Sequence, residues 1–272
     1  MLYRKKQFQL TPPQILVSGF ILIIMTGTLL LMLPVASRNG PLSFIDALFT
    51  ATSAACVTGL VVVDTATQFT MFGYIVIATL IQIGGLGFIT MATLFALILK
   101  KRISLKERLV LQQALNQLSL EGIVRLIRKI ILFSFVIEGA GAFLLAVRWS
   151  FDMPLGKAIF FGVFHAISLF NNAGFDLFGG FRSFTPYTHD IFINLVSMML
   201  IILGGLGFIV LADIVEYKKK RRLSLHSKVV LTVSGLLILL GALVIFAMEY
   251  NNPYTLRPLS PGEKVTASFF QS

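Results

Sequence analysis

Long apolar runs almost free of charge constrain this chain most, because about 20 such residues is the length that crosses a hydrocarbon core about 30 Å thick. The runs are Ile15 to Leu33, Phe72 to Leu99, Ile130 to Val147, Ile191 to Val215 and Val229 to Met248. With 56% hydrophobic residues, 13% charged residues and a mean hydropathy of +0.87, too little polar surface remains to cover a water-soluble globule. Backbone inside lipid must satisfy its own hydrogen bonds, which helices do within one segment. The fold class expected is therefore an all-α integral membrane protein.

The net charge of +11 points to topology rather than to a polyanionic partner. With the N-terminus placed in the cytoplasm, only Arg38, Arg148, Lys157, Arg182, Arg257 and Lys264 of the 23 basic residues fall outside, and the other 17 lie inside. This is the positive-inside asymmetry. The basic runs adjoin helix ends and carry no interleaved base-stacking aromatics, so nucleic acid is excluded as a partner. Cytoplasmic Lys and Arg can instead touch anionic lipid of the plasma membrane. The Arg4-Lys5-Lys6 start resembles a signal peptide, but the apolar run behind it is long for a signal core, and it is expected to be retained. A single cysteine, Cys56, excludes an intrachain disulfide and a cysteine-rich metal site.

The chain also repeats itself. Cys56-Val57-Thr58-Gly59-Leu60 recurs as Asn171-Asn172-Ala173-Gly174-Phe175, 115 positions on, and Ile83-Gly84-Gly85-Leu86-Gly87-Phe88 returns as Leu203-Gly204-Gly205-Leu206-Gly207-Phe208, 120 positions on. The second copy thus holds five extra residues after its turn, around Gly179, Gly180 and Pro186. Each turn follows a short apolar segment, Phe44 to Ala55 or Gly156 to Phe170. The first, at about 12 residues, makes roughly 18 Å of helix, too short to span, so it is expected to enter from outside and turn back, and the second follows the same plan. Three units follow: residues 1–121 with a helix, re-entrant helix and helix plus a cytoplasmic helix, residues 122–225 with the same plan, and residues 226–272 with a first helix and part of a re-entrant one. In the third, Gly262 to Ser272 aligns with Gly156 to Ala166 at an offset of 106, and the expectation is of a truncated or fragmentary chain. Ser104 and Glu107 form a capping-box pattern that predicts a surface helix over Leu105 to Gln117, either a connector or a docking surface.

A cation crossing a membrane must exchange its water shell for oxygens, which backbone carbonyls of a tight turn can supply. Gly59 and Gly174 are where unusual backbone angles and close approach cost least. The C-terminal end of each re-entrant helix carries partial negative charge that favours a cation. Two equivalent turns in register make an ion-selective site a stronger reading than structural loop glycines. Catalysis has no comparable support: His165, His189 and His226 occupy non-corresponding places, and no triad or metal spacing emerges.

The stretch Phe44-Ile45-Asp46-Ala47-Leu48-Phe49-Thr50-Ala51 followed by Val57-Thr58-Gly59-Leu60 resembles the first repeat of the Trk, Ktr and HKT superfamily of potassium transporters. Phe164-His165-Ala166-Ile167-Ser168 followed by Phe170 to Phe175 resembles its second repeat, and Leu105-Lys106-Glu107-Arg108 with Gln112 to Gln117 fits the membrane subunit of bacterial Ktr systems. The resemblance implies a fourfold pseudosymmetric pore of tandem helix, pore-helix, helix repeats that conducts K+ inward. It implies filter carbonyls from Cys56, Val57, Thr58 and Gly59 and from Asn171, Asn172, Ala173 and Gly174. It further implies a homodimer, a cytoplasmic nucleotide-sensing regulatory ring, Na+ as an activator, no cofactor and no enzymatic activity. Cys56 stands where such relatives often carry threonine, which removes a hydroxyl and keeps the carbonyl. The third and fourth filter turns, a gating helix and a basic residue of the fourth repeat fall outside the chain, so the expectation is that it does not conduct alone. A non-conducting membrane scaffold is the alternative, and a secondary transporter with an occluded site is a third reading.

Remaining polar positions carry divided expectations. Glu138 within an apolar run needs a partner or water, and serves either structure or transport. The two Gly-Gly-x-Gly clusters read as close helix packing more readily than as hinges. His165 is expected to bond locally, and Asp64 and Asp176 either gather cations at the mouth or act as ordinary loop charges.

Overall fold

The computed structural model describes residues 11–87, 90 and 123–272, and the predicted surface helix over Leu105 to Gln117 lies outside them. The first unit contains α1 (Pro12–Met32), α2 (Phe44–Ala55), the short α3 (Thr65–Gln68) and α4 (Met71–Leu86). The second contains α5 (Ile123–Trp149), α6 (Leu155–Phe170), α7 (Ile191–Gly205) and α8 (Phe208–Lys220), and α9 (Leu225–Glu249) and α10 (Pro261–Gln271) follow. The all-α membrane architecture read from the sequence is the one observed: α1, α5 and α9 are each long and apolar enough to cross a bilayer. Their outward faces are apolar, with Leu22, Phe143 and Leu237 exposed, because their solvent is lipid.

The helices start where side chains can satisfy the orphan N–H groups of the first turn. In α1 the Thr11 N–H donates to Gln14 Oε1 at 2.9 Å, and Pro34 stops the helix at its far end. Ser43 caps α2 through the Asp46 N–H (3.1 Å), Asp190 caps α7 through the Ile193 N–H (2.9 Å), and Ser260 with Glu263 boxes α10. α2 and α6 both end on the turn that follows them, and their last residues, Ala55 and Phe170, keep the 115-residue offset. α10 begins 106 residues after α6.

The short helices lie against their chain neighbours: α2 against α1 and α4, α6 against α5 and α7, and α10 against α9. The units touch through α4 with α6 and α7 with α10. One apolar core runs through this seam, with Leu31, Phe69, Ile77 and Ile81 from the first unit and Trp149, Phe164, Phe170 and Phe175 from the second.

One expectation is corrected. The run Ile191 to Val215 predicts a continuous spanning helix, whereas α7 and α8 are bent by 102° at their junction. Gly207 sits at the break with φ +86° and ψ 147°, a backbone conformation that essentially only glycine adopts. Apolar composition is blind to this break, because both arms are apolar. In the first unit α4 stops at Leu86, and Gly87 takes a similar φ of +80°.

Candidate functional site

The turns after α2 and α6 have the same backbone. Cys56 and Asn171 lie near φ −89° and −80° with ψ close to zero, at 3° and 2°. Val57 and Asn172 then take left-handed φ values of 56° and 57°, and Gly59 and Gly174 take 77° and 76°. The same hydrogen bonds close both. Val57 N–H donates to the Ala54 carbonyl (3.2 Å) and Thr58 N–H to Ser53 (2.8 Å), matched by Asn172 to Leu169 (3.0 Å) and Ala173 to Ser168 (2.7 Å). This is a helix cap with a left-handed residue just past the end, which consumes the last helical carbonyls. A β-branched valine in that conformation costs of order 1–3 kcal/mol, so surrounding structure must hold Val57 there.

What the cap leaves free matters chemically. Among the described residues no donor bonds the carbonyls of Cys56, Val57, Thr58 and Gly59, or those of Asn171, Asn172, Ala173 and Gly174. Unbonded carbonyls at the negative end of a helix are suited to a cation. The two turns also meet. A Cβ on Gly59 would collide with the Ala173 carbonyl, and one on Gly174 would lie 3.6 Å from the Gly59 Cα. The two predicted turns, one from each unit, therefore touch at Gly59, Ala173 and Gly174.

Behind each turn a glycine makes room. A Cβ on Gly84 would collide with the Ala55 carbonyl, and one on Gly204 with the Phe170 carbonyl, so both short helices end against a bare helix face. The glycine clusters thus divide: Gly84 and Gly204 serve close packing as expected, while Gly87 and Gly207 have left-handed φ values at helix ends.

The second turn is held by side chains that the first lacks. Ser168 Oγ donates to the Phe175 carbonyl at 2.7 Å, whereas its counterpart Ser53 Oγ is buried with no partner among the described residues. His165 bonds within α6 as expected, with Nδ1 2.8 Å from the Phe161 carbonyl. It does more as well: Nε2 accepts from the Leu177 N–H at 3.2 Å, which ties α6 to the outgoing strand of its own turn. That pairing fixes the proton on Nδ1. Phe178 stacks on the imidazole at 4.7 Å and Trp149 closes it from α5 at 5.1 Å.

Asn171 is also drawn backward. Its Nδ2 donates toward Gln82 Oε1 (3.1 Å), Glu138 Oε1 (3.2 Å) and the Ile167 carbonyl (2.9 Å), while its counterpart Cys56 is exposed. Glu138 is thus a polar contact behind a turn residue. Asp64 accepts from the Ala66 N–H (3.0 Å) and from Gly180 N–H (2.5 Å) in the second unit, so it bridges the loops that follow the two turns. Asp176 accepts from the Phe178 N–H at 2.9 Å, and burial raises its carboxyl pKa, a shift the Phe178 bond opposes and the Asp64 charge reinforces. Among the described residues no His, Cys, Asp and Glu cluster could hold a resident metal ion.

The family model of TrkH, a cation transport protein, matches residues 5–272. The chain belongs to the TrkH family. It is 48% identical over 267 residues to the Ktr system potassium uptake protein B of Bacillus subtilis (strain 168), covering 98% of the chain and 59% of that protein. It is 42% identical over 265 residues to the potassium/sodium uptake protein NtpJ of Enterococcus hirae, covering 97% of the chain and 58% of the relative. With the Ktr system potassium uptake protein B of Vibrio alginolyticus it shares 39% over 262 residues, 96% of the chain and 57% of the relative. The chain spans less than two thirds of the length of each of these. The TrkH family is one of cation transport proteins. Gln82 beside Asn171 escapes sequence reading, since its only signal is an amide within an apolar run, whereas Gly85 makes room for Asn171 in the close packing expected of its cluster.

Proposed function

We propose that this chain supplies half of a K+ uptake pore, with the carbonyls of Cys56 to Gly59 and Asn171 to Gly174 forming part of a selectivity filter. One observation carries the reading: two short helices end in turns of matching backbone angles that leave their carbonyls unbonded among the described residues and meet at Gly59 and Gly174. Carbonyl dipoles replace the hydration shell of a dehydrated cation, and the helix C-termini behind them add negative potential. Its relatives include potassium uptake and potassium/sodium uptake proteins, which agrees with a monovalent cation as cargo.

In this reading K+ passes inward down its electrochemical gradient across the plasma membrane, and the N-terminus is cytoplasmic because 17 of the 23 basic residues then lie inside. Coordination by two turns is completed by further segments of a fourfold pore. A second copy of the subunit and a cytoplasmic nucleotide-sensing ring complete the system, and Na+ acts as an activator.

The test is K+ and Rb+ uptake by the intact gene product in a strain lacking its own K+ transport. Gly59→Ser drives a side chain into the Ala173 carbonyl, and Gly174→Ser imposes a left-handed φ on serine, so both erode the preference for K+ over Na+. Unchanged selectivity in both variants removes the filter assignment. Absence of uptake by the unmodified gene product would favour a scaffold.

A further inference from the structure

Glu138 lies midway along α5, 5% exposed among apolar helices, where a carboxyl group must find polar partners. It finds them on two other elements. Gln82 Nε2 on α4 donates to both of its oxygens at 2.9 and 3.1 Å, and Asn171 Nδ2, at the start of the second turn, donates to Oε1 at 3.2 Å. Among the described residues no Lys or Arg forms an ion pair with it. The three side chains share one enclosed site, with Gln82 8% and Asn171 9% exposed.

Asn171 has little freedom there. Its two amide protons serve three acceptors, Glu138 Oε1, Gln82 Oε1 and the Ile167 carbonyl. Its side chain also fills the notch left by Gly85, where any Cβ would collide with Asn171 Oδ1. Gln82 and Gly85 lie three residues apart on α4, hence on one face of the helix. A helix of the first unit thus receives the leading side chain of the second unit's turn, and the carboxylate of α5 locks it. The corresponding positions of the first unit carry Cys56 for Asn171 and Ile23 for Glu138, so the first turn has no such clamp.

We propose that Glu138 is a positioning residue for the second filter turn: through Gln82 and Asn171 it fixes the direction of the Asn171 to Gly174 carbonyls and thereby sets the preference among monovalent cations. The proposal rests on the filter reading above. Asn171 is the hinge between α6 and the left-handed Asn172, so a rotation at Asn171 redirects the carbonyls that follow it. Gln82 extends the control to the first unit, because α4 also backs the first turn at Gly84.

The experiment measures competition between Rb+ and Na+ in the intact gene product, a ratio that does not depend on how much protein reaches the membrane. Glu138→Gln keeps the volume and replaces one accepting oxygen by an amide nitrogen that cannot accept. It lowers the preference for Rb+ about tenfold, the scale of one lost hydrogen bond. The swap Glu138→Gln with Gln82→Glu returns a carboxylate beside an amide and keeps an acceptor on each side of Asn171, so it restores most of the loss. Should Glu138→Gln fail to accumulate, Gln82→Met and Glu138→Asp carry the same comparison. Wild-type preference in these variants overturns the proposal, as does a swap no better than Glu138→Gln alone. Gly174→Ser, measured alongside, separates the two ideas: if it too leaves selectivity unchanged, the filter reading fails; if it alone erodes selectivity, only the role of Glu138 fails.

Discussion

A glycine in an apolar helix can mean room or it can mean conformation, and here the same Gly-Gly-x-Gly cluster uses both meanings one turn apart. Gly204 has ordinary helical geometry, and its missing side chain lets the Phe170 carbonyl approach. The obstacle for any larger residue is backbone at the end of α6, which cannot swing aside as a side chain would. Gly204→Ala is therefore expected to destabilise the protein by about 1–3 kcal/mol, the range for overpacking a filled site. It also displaces the turn that begins at Asn171. Gly235 on α9 has open space around its Cα, and Gly235→Ala is expected to be neutral or to stabilise by up to about 1 kcal/mol through helix propensity. Thermal midpoints of the two variants in detergent, at matched protein concentration, check the pair. Equal midpoints would contradict the assigned contact at Gly204.

At the scale of elements, hydropathy and length identify the spanning helices α1, α5 and α9 and the short helices α2 and α6, because burial in lipid acts on composition. The break between α7 and α8 is invisible to the same reading, since Ile191 to Val215 is apolar on both sides of Gly207. Only the backbone angle at Gly207 distinguishes a bent pair from a straight helix, because a glycine cluster alone reads as close packing more readily than as a hinge. The Gln82, Glu138 and Asn171 set was illegible for a related reason: its members are 33, 56 and 89 positions apart, and three-dimensional proximity is what makes them one group. The bend has a mechanical consequence, because it places α8 where Glu216 pairs with Lys129 of α5. Gly207→Ala confers on the break a strain of about 1–3 kcal/mol. The expected outcome is a lowered thermal midpoint together with a longer spin-label distance between α5 and α8. A variant with an unchanged distance would mean that packing alone, without glycine's φ, dictates the bend.

For the whole molecule, two units related by a 115-residue repeat meet at three levels, and the levels differ in chemistry. Deep in the seam Gln82 of the first unit holds Glu138 and Asn171 of the second, at the turns Gly59 meets Ala173, and in the loops beyond the turns Asp64 reaches Gly180. The last of these links decides between the two roles expected of Asp64. A residue gathering cations needs only its charge, whereas a bridge needs both carboxylate oxygens, and here Oδ1 accepts from Ala66 N–H while Oδ2 accepts from Gly180 N–H. Asp64→Asn separates these functions. The single amide oxygen still caps α3 through Ala66, but the amide nitrogen cannot accept from Gly180, whose left-handed φ of +65° is then held by fewer contacts. Hydrogen exchange is expected to rise over residues 177–184 while the α3 amides keep their protection. Loss of protection in both places would mean that the cap on α3 depends on the bridge. If Asp64→Asn leaves exchange at Gly180 unchanged, the two loops are joined by something other than this carboxylate, and the role of Asp64 returns to that of a charge at the mouth.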